Sequence, residues 1–153
     1  MPGTREQVAD ALMAKIAATV FPAAVNGSMS FVETSRQLQL FDTVDSSHQP
    51  AAFLIEHAET YEQPGRGIPP RRILTFSIFC YARSQIGSIV GGTVINNMLL
   101  GIENALVADD IMSNLLTLGG LVQWCNIQGV VFKDPGDLDN QAMLIVPIRV
   151  VWP

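Results

Sequence analysis

Ionisable and reactive side chains are scarce in this 153-residue chain: 15% of its residues are charged, and it has two histidines and two cysteines. Cys80 and Cys125 lie within apolar, strand-like stretches and are too few for a disulfide framework, so both read as buried free thiols. His48 and His57 stand in no metal-ligand spacing with a cysteine or with each other. Asp45, His48, His57 and Glu59 are near in sequence and could gather at one end of a hairpin, as a small metal-dependent hydrolase would require. Each of these residue types suits a solvated turn or strand equally well. There is no Gly-x-Ser-x-Gly, no phosphate loop and no dinucleotide fingerprint, since the Gly-rich stretch 86–93 lacks both the lysine and the glycine spacing. Asp134, Asp137 and Asp139 miss the alternate positions of a calcium loop and no glutamate closes it, so Asp134-Pro135-Gly136-Asp137 reads as a turn. The expectation is a protein without catalytic residues, cofactor or metal.

Acids are absent from Gln63 to Ile102, where Arg66, Arg71, Arg72 and Arg83 give a local charge of +4. Residues 1–62 carry eight acids and three bases, and residues 103–139 carry six acids against Lys133 alone, within a total of -5. Such segregation fits complementary surfaces joining like subunits head to tail, and it fits solvated loops equally. The acidic total and the small arginine group, which lacks interleaved aromatics, argue against nucleic acid. The longest uncharged stretch, 84–102, is broken by serine, glutamine, asparagine and glycine and does not read as a membrane span. Residues 1–10 lack the basic start and apolar run of a secretory signal, which points to a cytosolic site of synthesis.

Apolar residues, by contrast, make up 48% of the chain, more than so few charges can screen on a small domain, so part of the apolar surface should be covered by protein partners. Residues 1–153 are expected to form one domain. Thr4-Arg5-Glu6-Gln7 has the form of a capping box, and Ala9, Leu12, Met13, Ile16 and Val20 recur at helical spacing, predicting a helix over 5–21. Strands are predicted over 32–41 and 51–61, the second with Phe53, Ile55 and His57 on one face. The proline-rich 64–70 reads as an exposed arm. Residues 72–83 form a strand apolar on both faces, with Leu74, Phe76, Ile78 and Cys80 on one and Ile73, Phe79 and Tyr81 on the other. A helix over 88–107, an acidic but apolar link, and strands over 121–132 and 142–152 follow. Pro147 marks the last strand as an edge or bulged strand. The order α-β-β-β-α-β-β predicts an α+β domain: a mostly antiparallel sheet of four to five strands with two helices on one face. Two helices cover only one side, which leaves Ile73, Phe79 and Tyr81 in need of a neighbouring subunit.

Three stretches together resemble the tail-terminator (tail completion) proteins of long-tailed bacteriophages: Ser35-Arg36-Gln37-Leu38; Gln49-Pro50-Ala51 through Glu59-Thr60-Tyr61-Glu62 with the Pro-Pro arm; and Thr117-Leu118-Gly119-Gly120 through Lys133-Asp134-Pro135-Gly136-Asp137-Leu138-Asp139. The likeness runs from about residue 30 to the end, plus the first helix. Gln123-Trp124-Cys125-Asn126 and the loop 26–30 depart from it. The resemblance implies a non-enzymatic homo-oligomer, usually a hexameric ring, at the head-proximal end of the virion's tail. Such a ring is assembled in the host cytoplasm, stops polymerisation of the tail tube protein and offers a docking face to a neck or head-completion protein. A head-to-tail adaptor or stopper ring, the hydrolase built on Asp45, His48 and His57, and a cytosolic dimer that binds a peptide at its sheet edge are the rivals. Under the ring reading, Arg66, Arg71, Arg72, Ile73, Phe79, Tyr81, Asp109 and Asp110 are the expected interface residues, the arginines facing the acidic segment of an adjacent copy.

Overall fold

The computed structural model describes residues 3–23, 26–83 and 90–152. Helix α1, Arg5–Ala17, begins at the capping box: Gln7 N–H donates to the Thr4 hydroxyl, and Thr4 N–H donates to Gln7 Oε1 at 2.8 Å. Val8, Ala9, Leu12 and Ile16 are its buried stripe. The helix ends before the expected Phe21 because Pro22 disfavours helical geometry at the residue before it and would clash with the carbonyl of Ala18. Val20–Pro22 runs instead as strand β1, antiparallel to β2, Ser28–Ser30.

The main sheet contains β3 (Glu33–Ser35), β4 (Ala51–Glu62), β5 (Arg71–Arg83), β6 (Trp124–Ile127), β7 (Phe132–Asp134) and β8 (Gln141–Trp152). Their order is β3-β4-β5-β8-β6, with β7 also paired to β8. Every pairing is antiparallel except that of β3 with β4. The second helix, α2, spans Gly91–Ala105. Ser88, the expected first residue of that helix, lies outside the described residues, as does 86–89 of the Gly-rich stretch. Both helices pack on one face of the sheet, and the chain is an α+β domain. Gly101 of α2 lies so close to β1 that a Cβ there would stand 2.7 Å from the Phe21 Cβ, so a side chain would push the helix away. Among the described residues no helix is long and apolar enough to cross a membrane.

Two expected strands are shorter than their sequences suggest. The strand expected over 32–41 is reduced to β3, and the chain from Arg36 to Pro50 wraps over the sheet instead, through two short 3-10 turns at Phe41–Thr43 and Ser46–His48. The strand expected over 121–132 is divided into β6 and β7. The break falls opposite Pro147, whose carbonyl accepts Gln128 N–H at 3.2 Å. An amide and a carbonyl of one strand residue point to the same side, so the hydrogen bond that proline cannot donate would have pointed into this gap. Gly129 sits there at φ +123°, and a Cβ on it would stand 3.2 Å from the Pro147 ring. Pro147 therefore marks no edge: β8 is central, flanked by β5 on one side and by β6 and β7 on the other.

A bulge in β4 decides which residues face which way. Glu56 lies opposite Phe76 and Ala58 opposite Thr75, so His57 is the extra residue. Before it, Ala52 and Leu54 face the helices; after it, the phase reverses and Glu59 and Tyr61 do. That reversal brings Glu59 under α1, where Arg5 Nε donates to Glu59 Oε2 at 2.7 Å and Arg5 Nη2 to the Tyr61 hydroxyl at 3.1 Å. The segment before α1 is tied to the last strand nearby: Trp152 Nε1 donates to the Gly3 carbonyl at 2.9 Å, and the guanidiniums of Arg72 and Arg5 lie over the Trp152 ring.

Candidate subunit-contact surfaces

The face of the sheet away from the helices presents alternate residues of β4, β5 and β8: Phe53 and Ile55; Ile73, Ser77, Phe79 and Tyr81; and Met143, Ile145, Pro147 and Arg149. One end of it has a cover from within the chain. Phe41 and Val44 of the wrapping segment pack on Phe53, Tyr81 and Met143. The Tyr81 hydroxyl donates to the Gln39 carbonyl at 2.8 Å, and Gln141 Nε2 donates to Asp42 Oδ1 at 2.7 Å. Burial raises the Tyr81 pKa, so the phenol stays a neutral donor. The expectation that Ile73, Phe79 and Tyr81 all lack intrachain cover is therefore corrected. Tyr81 is buried by the 36–50 segment, and Ile73 is buried between its cross-strand neighbours Thr60 and Val151. Phe79 alone of the three remains half-buried. Around it Ile55, Ile145 and Pro147 are also half-buried, and Phe132 of β7, opposite Ile145, is 48% exposed. Together they make an apolar strip that the chain does not cover. The signal for Ile145 and Phe132 was present in the alternation of β7 and β8, but their neighbourhood required the register.

The arm between β4 and β5 is exposed over residues 66–70, with Ile68 N–H donating to Gly65 O at 3.2 Å to close its turn. Arg71 and Arg72 belong to β5 and not to the arm; Arg72 is stacked 4.0 Å above the Trp152 ring. Arg66 and Arg71 have no ion pair with a carboxylate of the described residues. Arg5 and Arg36, by comparison, are committed within the chain. Arg36 donates to Glu6 at 2.7 Å and to Glu56 at 2.6 Å, and its guanidinium holds the Glu6 carboxyl below the usual range.

Within the chain, Asp109 and Asp110 are engaged by their own loop. Asp109 Oδ1 accepts Thr117 N–H at 2.6 Å and the Thr117 hydroxyl at 2.9 Å, and Oδ2 accepts Gly119 N–H at 2.8 Å. Partial burial raises the pKa of Asp109, but the Gly119 and Thr117 bonds outweigh it and keep the carboxyl below its ordinary value. Asp110 accepts Met112 N–H at 3.1 Å and the Ser113 hydroxyl, and the Asn114 N–H closes onto the Asp110 carbonyl at 2.9 Å. Both acids are turn-formers, because short carboxylates next to free amides bond locally before they reach a distant cation. The loop they shape projects Ile111 and Met112, which are 97% and 94% exposed. Sequence reasoning noted this link as acidic and apolar without placing it in a surface.

The titratable groups weighed for catalysis are engaged separately. His48 Nδ1 lies 3.3 Å from Glu33, and Asp45 accepts Ser47 N–H at 2.8 Å as the cap of its turn. His57 Nε2 is 2.7 Å from the hydroxyl of the buried Ser77. This serine–histidine contact, which the sequence did not suggest, is a product of the bulge. Cys80 and Cys125 are buried free thiols; desolvation raises both pKa values, that of Cys125 to about 12 with a further push from Asp109. Among the described residues no group of three or more His, Cys, Asp or Glu side chains could hold a metal ion. An apolar cavity of about 170 Å³ lies between β1, β2 and α2 and is lined by Phe21, Met29, Pro50, Ala82 and Val94. No protein-family model matches the chain, and no curated protein matches it.

Proposed function

We propose that this chain is the subunit of a tail-terminator ring, a homo-oligomer of hexameric form that caps the head-proximal end of a bacteriophage tail tube. In that role it stops addition of the tube protein and presents a docking surface to a neck protein. The observation that carries the reading is the uncovered strip of Ile55, Phe79, Ile145, Pro147 and Phe132 on a sheet whose opposite face carries both helices. A small domain that leaves a contiguous apolar strip on a rigid sheet has the kind of surface that a protein partner covers. The family resemblance of the loops at 35–38, 49–62 and 117–139 supplies the identity of that partner, and the separation of basic from acidic loops suits copies joined head to tail.

The test is the mass of the purified protein in solution, followed by electron microscopy of tail tubes assembled with and without it. A ring-sized species and tubes of fixed length bearing a cap are expected. Phe79→Asp should leave the circular dichroism spectrum and a cooperative melt intact while abolishing assembly. A wild type that stays monomeric with tubes present, and leaves their length unregulated, overturns the proposal.

A further inference from the structure

Two loops of the molecule each carry what the other lacks. The 109–115 loop ends in fully exposed Ile111 and Met112 above the carboxylates of Asp109 and Asp110, which no cation of the described residues pairs; no base occurs between Arg83 and Lys133. The β4–β5 arm carries Ile68, 51% exposed, between Arg66 and Arg71, which no carboxylate of the described residues pairs. An apolar tip on an acidic base and an apolar tip on a basic one are complementary in both hydrophobicity and sign.

Their placement is complementary as well. Arg72, next to the arm, lies opposite Trp152 at the end of β8. Cys125 of β6 lies opposite Val150 of the same strand end, and its N–H donates outward to the Leu116 carbonyl at 2.9 Å, just after the acidic loop. The two loops therefore stand at the same end of the strands, the arm on the β4–β5 flank and the acidic loop beyond β6 on the other flank. Within one chain β8 and β6 separate them. Between copies set side by side with strands alongside the common axis, the right flank of one meets the left flank of the next at one level. A heterologous contact at constant level closes into a ring, whereas a step in level would climb into a filament.

We infer that the Ile111–Met112 tip of one copy docks on the arm of the next, packing on Ile68 between Arg66 and Arg71. This inference rests on the ring reading and names its lateral contact. The tip is preformed by the Asp109 and Asp110 hydrogen bonds, so docking orders little that is not already ordered. Apolar burial supplies the affinity, and the opposed charges set the register and exclude a contact of the two arms or the two acidic loops with themselves.

The test is a chain carrying both Ile68→Cys and Met112→Cys, treated with a short bis-maleimide. The native thiols, Cys80 and Cys125, are buried and do not compete. A ladder of covalent multimers from the double variant, with none from either single variant, is expected. Ile111→Ser with Met112→Ser should weaken self-association by at least about 10-fold while leaving the melt unchanged, since both side chains stand in solvent in the monomer. A wild-type oligomer whose double variant gives no ladder, or whose Met112→Cys variant alone links to dimers, overturns this contact and leaves the ring standing. A wild type that is monomeric at every concentration and with tubes overturns the ring itself, and this contact with it.

Discussion

The two faces of the sheet are built from the same strands and have opposite fates. On the helix side, Leu54, Phe76, Ile78, Leu144, Val146 and Ile148 are almost fully buried beneath α1 and α2. On the other side, residues offset by a single position are covered at one end by the 36–50 segment, half-buried in the middle, and polar towards Thr75 and Arg149. Strand alternation distributes hydrophobic residues to both faces, but only one face has intrachain elements long enough to bury them. Stability therefore resides in the helix side, while the open side carries apolar surface that folding itself does not use.

Truncating isoleucines of β8 on opposite faces should separate the two surfaces most sharply. Ile148→Ala, on the helix side and fully buried, should cost about 2–5 kcal/mol in urea unfolding, by lost transfer energy and a cavity. Pro147 intervenes, so the matched open-face change is Ile145→Ala, expected to cost about 1 kcal/mol or less in the monomer while impairing assembly. Equal costs to folding would show that the open face is a second core.

A smaller effect is expected where the two kinds of surface meet. Tyr81→Phe removes the hydroxyl that donates to Gln39 O and leaves the ring in place between Phe41 and Phe53. The expected loss is about 0.5–1.5 kcal/mol. Amide exchange should accelerate in the 36–50 cover and hardly change in α2, and a uniform acceleration would mean that the cover is integral to the core.

Least of all should depend on the surface ion pairs that staple α1 to β4. Arg36→Gln, which releases Glu6 and Glu56, should be barely resolved at physiological salt. Its pH dependence has a definite sign. Glu6 has its carboxyl pKa lowered in the folded state, first by the hydrogen bond from Arg36 and then by its charge. The folded protein therefore gains from the ionised form above the unfolded value of about 4.3, and that gain is lost as pH falls through the lower folded value. Any difference between wild type and Arg36→Gln should accordingly shrink as pH drops below about 4. A difference that grows in acid would place the origin of the effect elsewhere.

Local chemistry alone determined much of this protein. The Thr4–Gln7 capping box, the helical stripes of α1 and α2, the strands β4, β5 and β8, and a turn after Pro135-Gly136, at residues 137–139, follow from spacing and propensity within a few residues, which is where such signals act. The uncommon supply of apolar residues also announced a surface in need of cover. What the sequence could not settle is which residues that surface contains, because facing depends on register, and register on partners far along the chain. The His57 bulge reversed the phase of β4 and turned Glu59 towards Arg5. Pro147, read locally as the mark of an edge or bulged strand, was placed in a central strand because the β6–β7 gap lies where its missing amide would point. Tyr81 was buried by a segment that reads as strand and folds as a wrap, and Asp109 and Asp110 were drawn into their own loop by nearby amides. The tertiary structure alone decided these outcomes, since each rests on competition between local hydrogen bonding and long-range packing that a linear pattern does not encode.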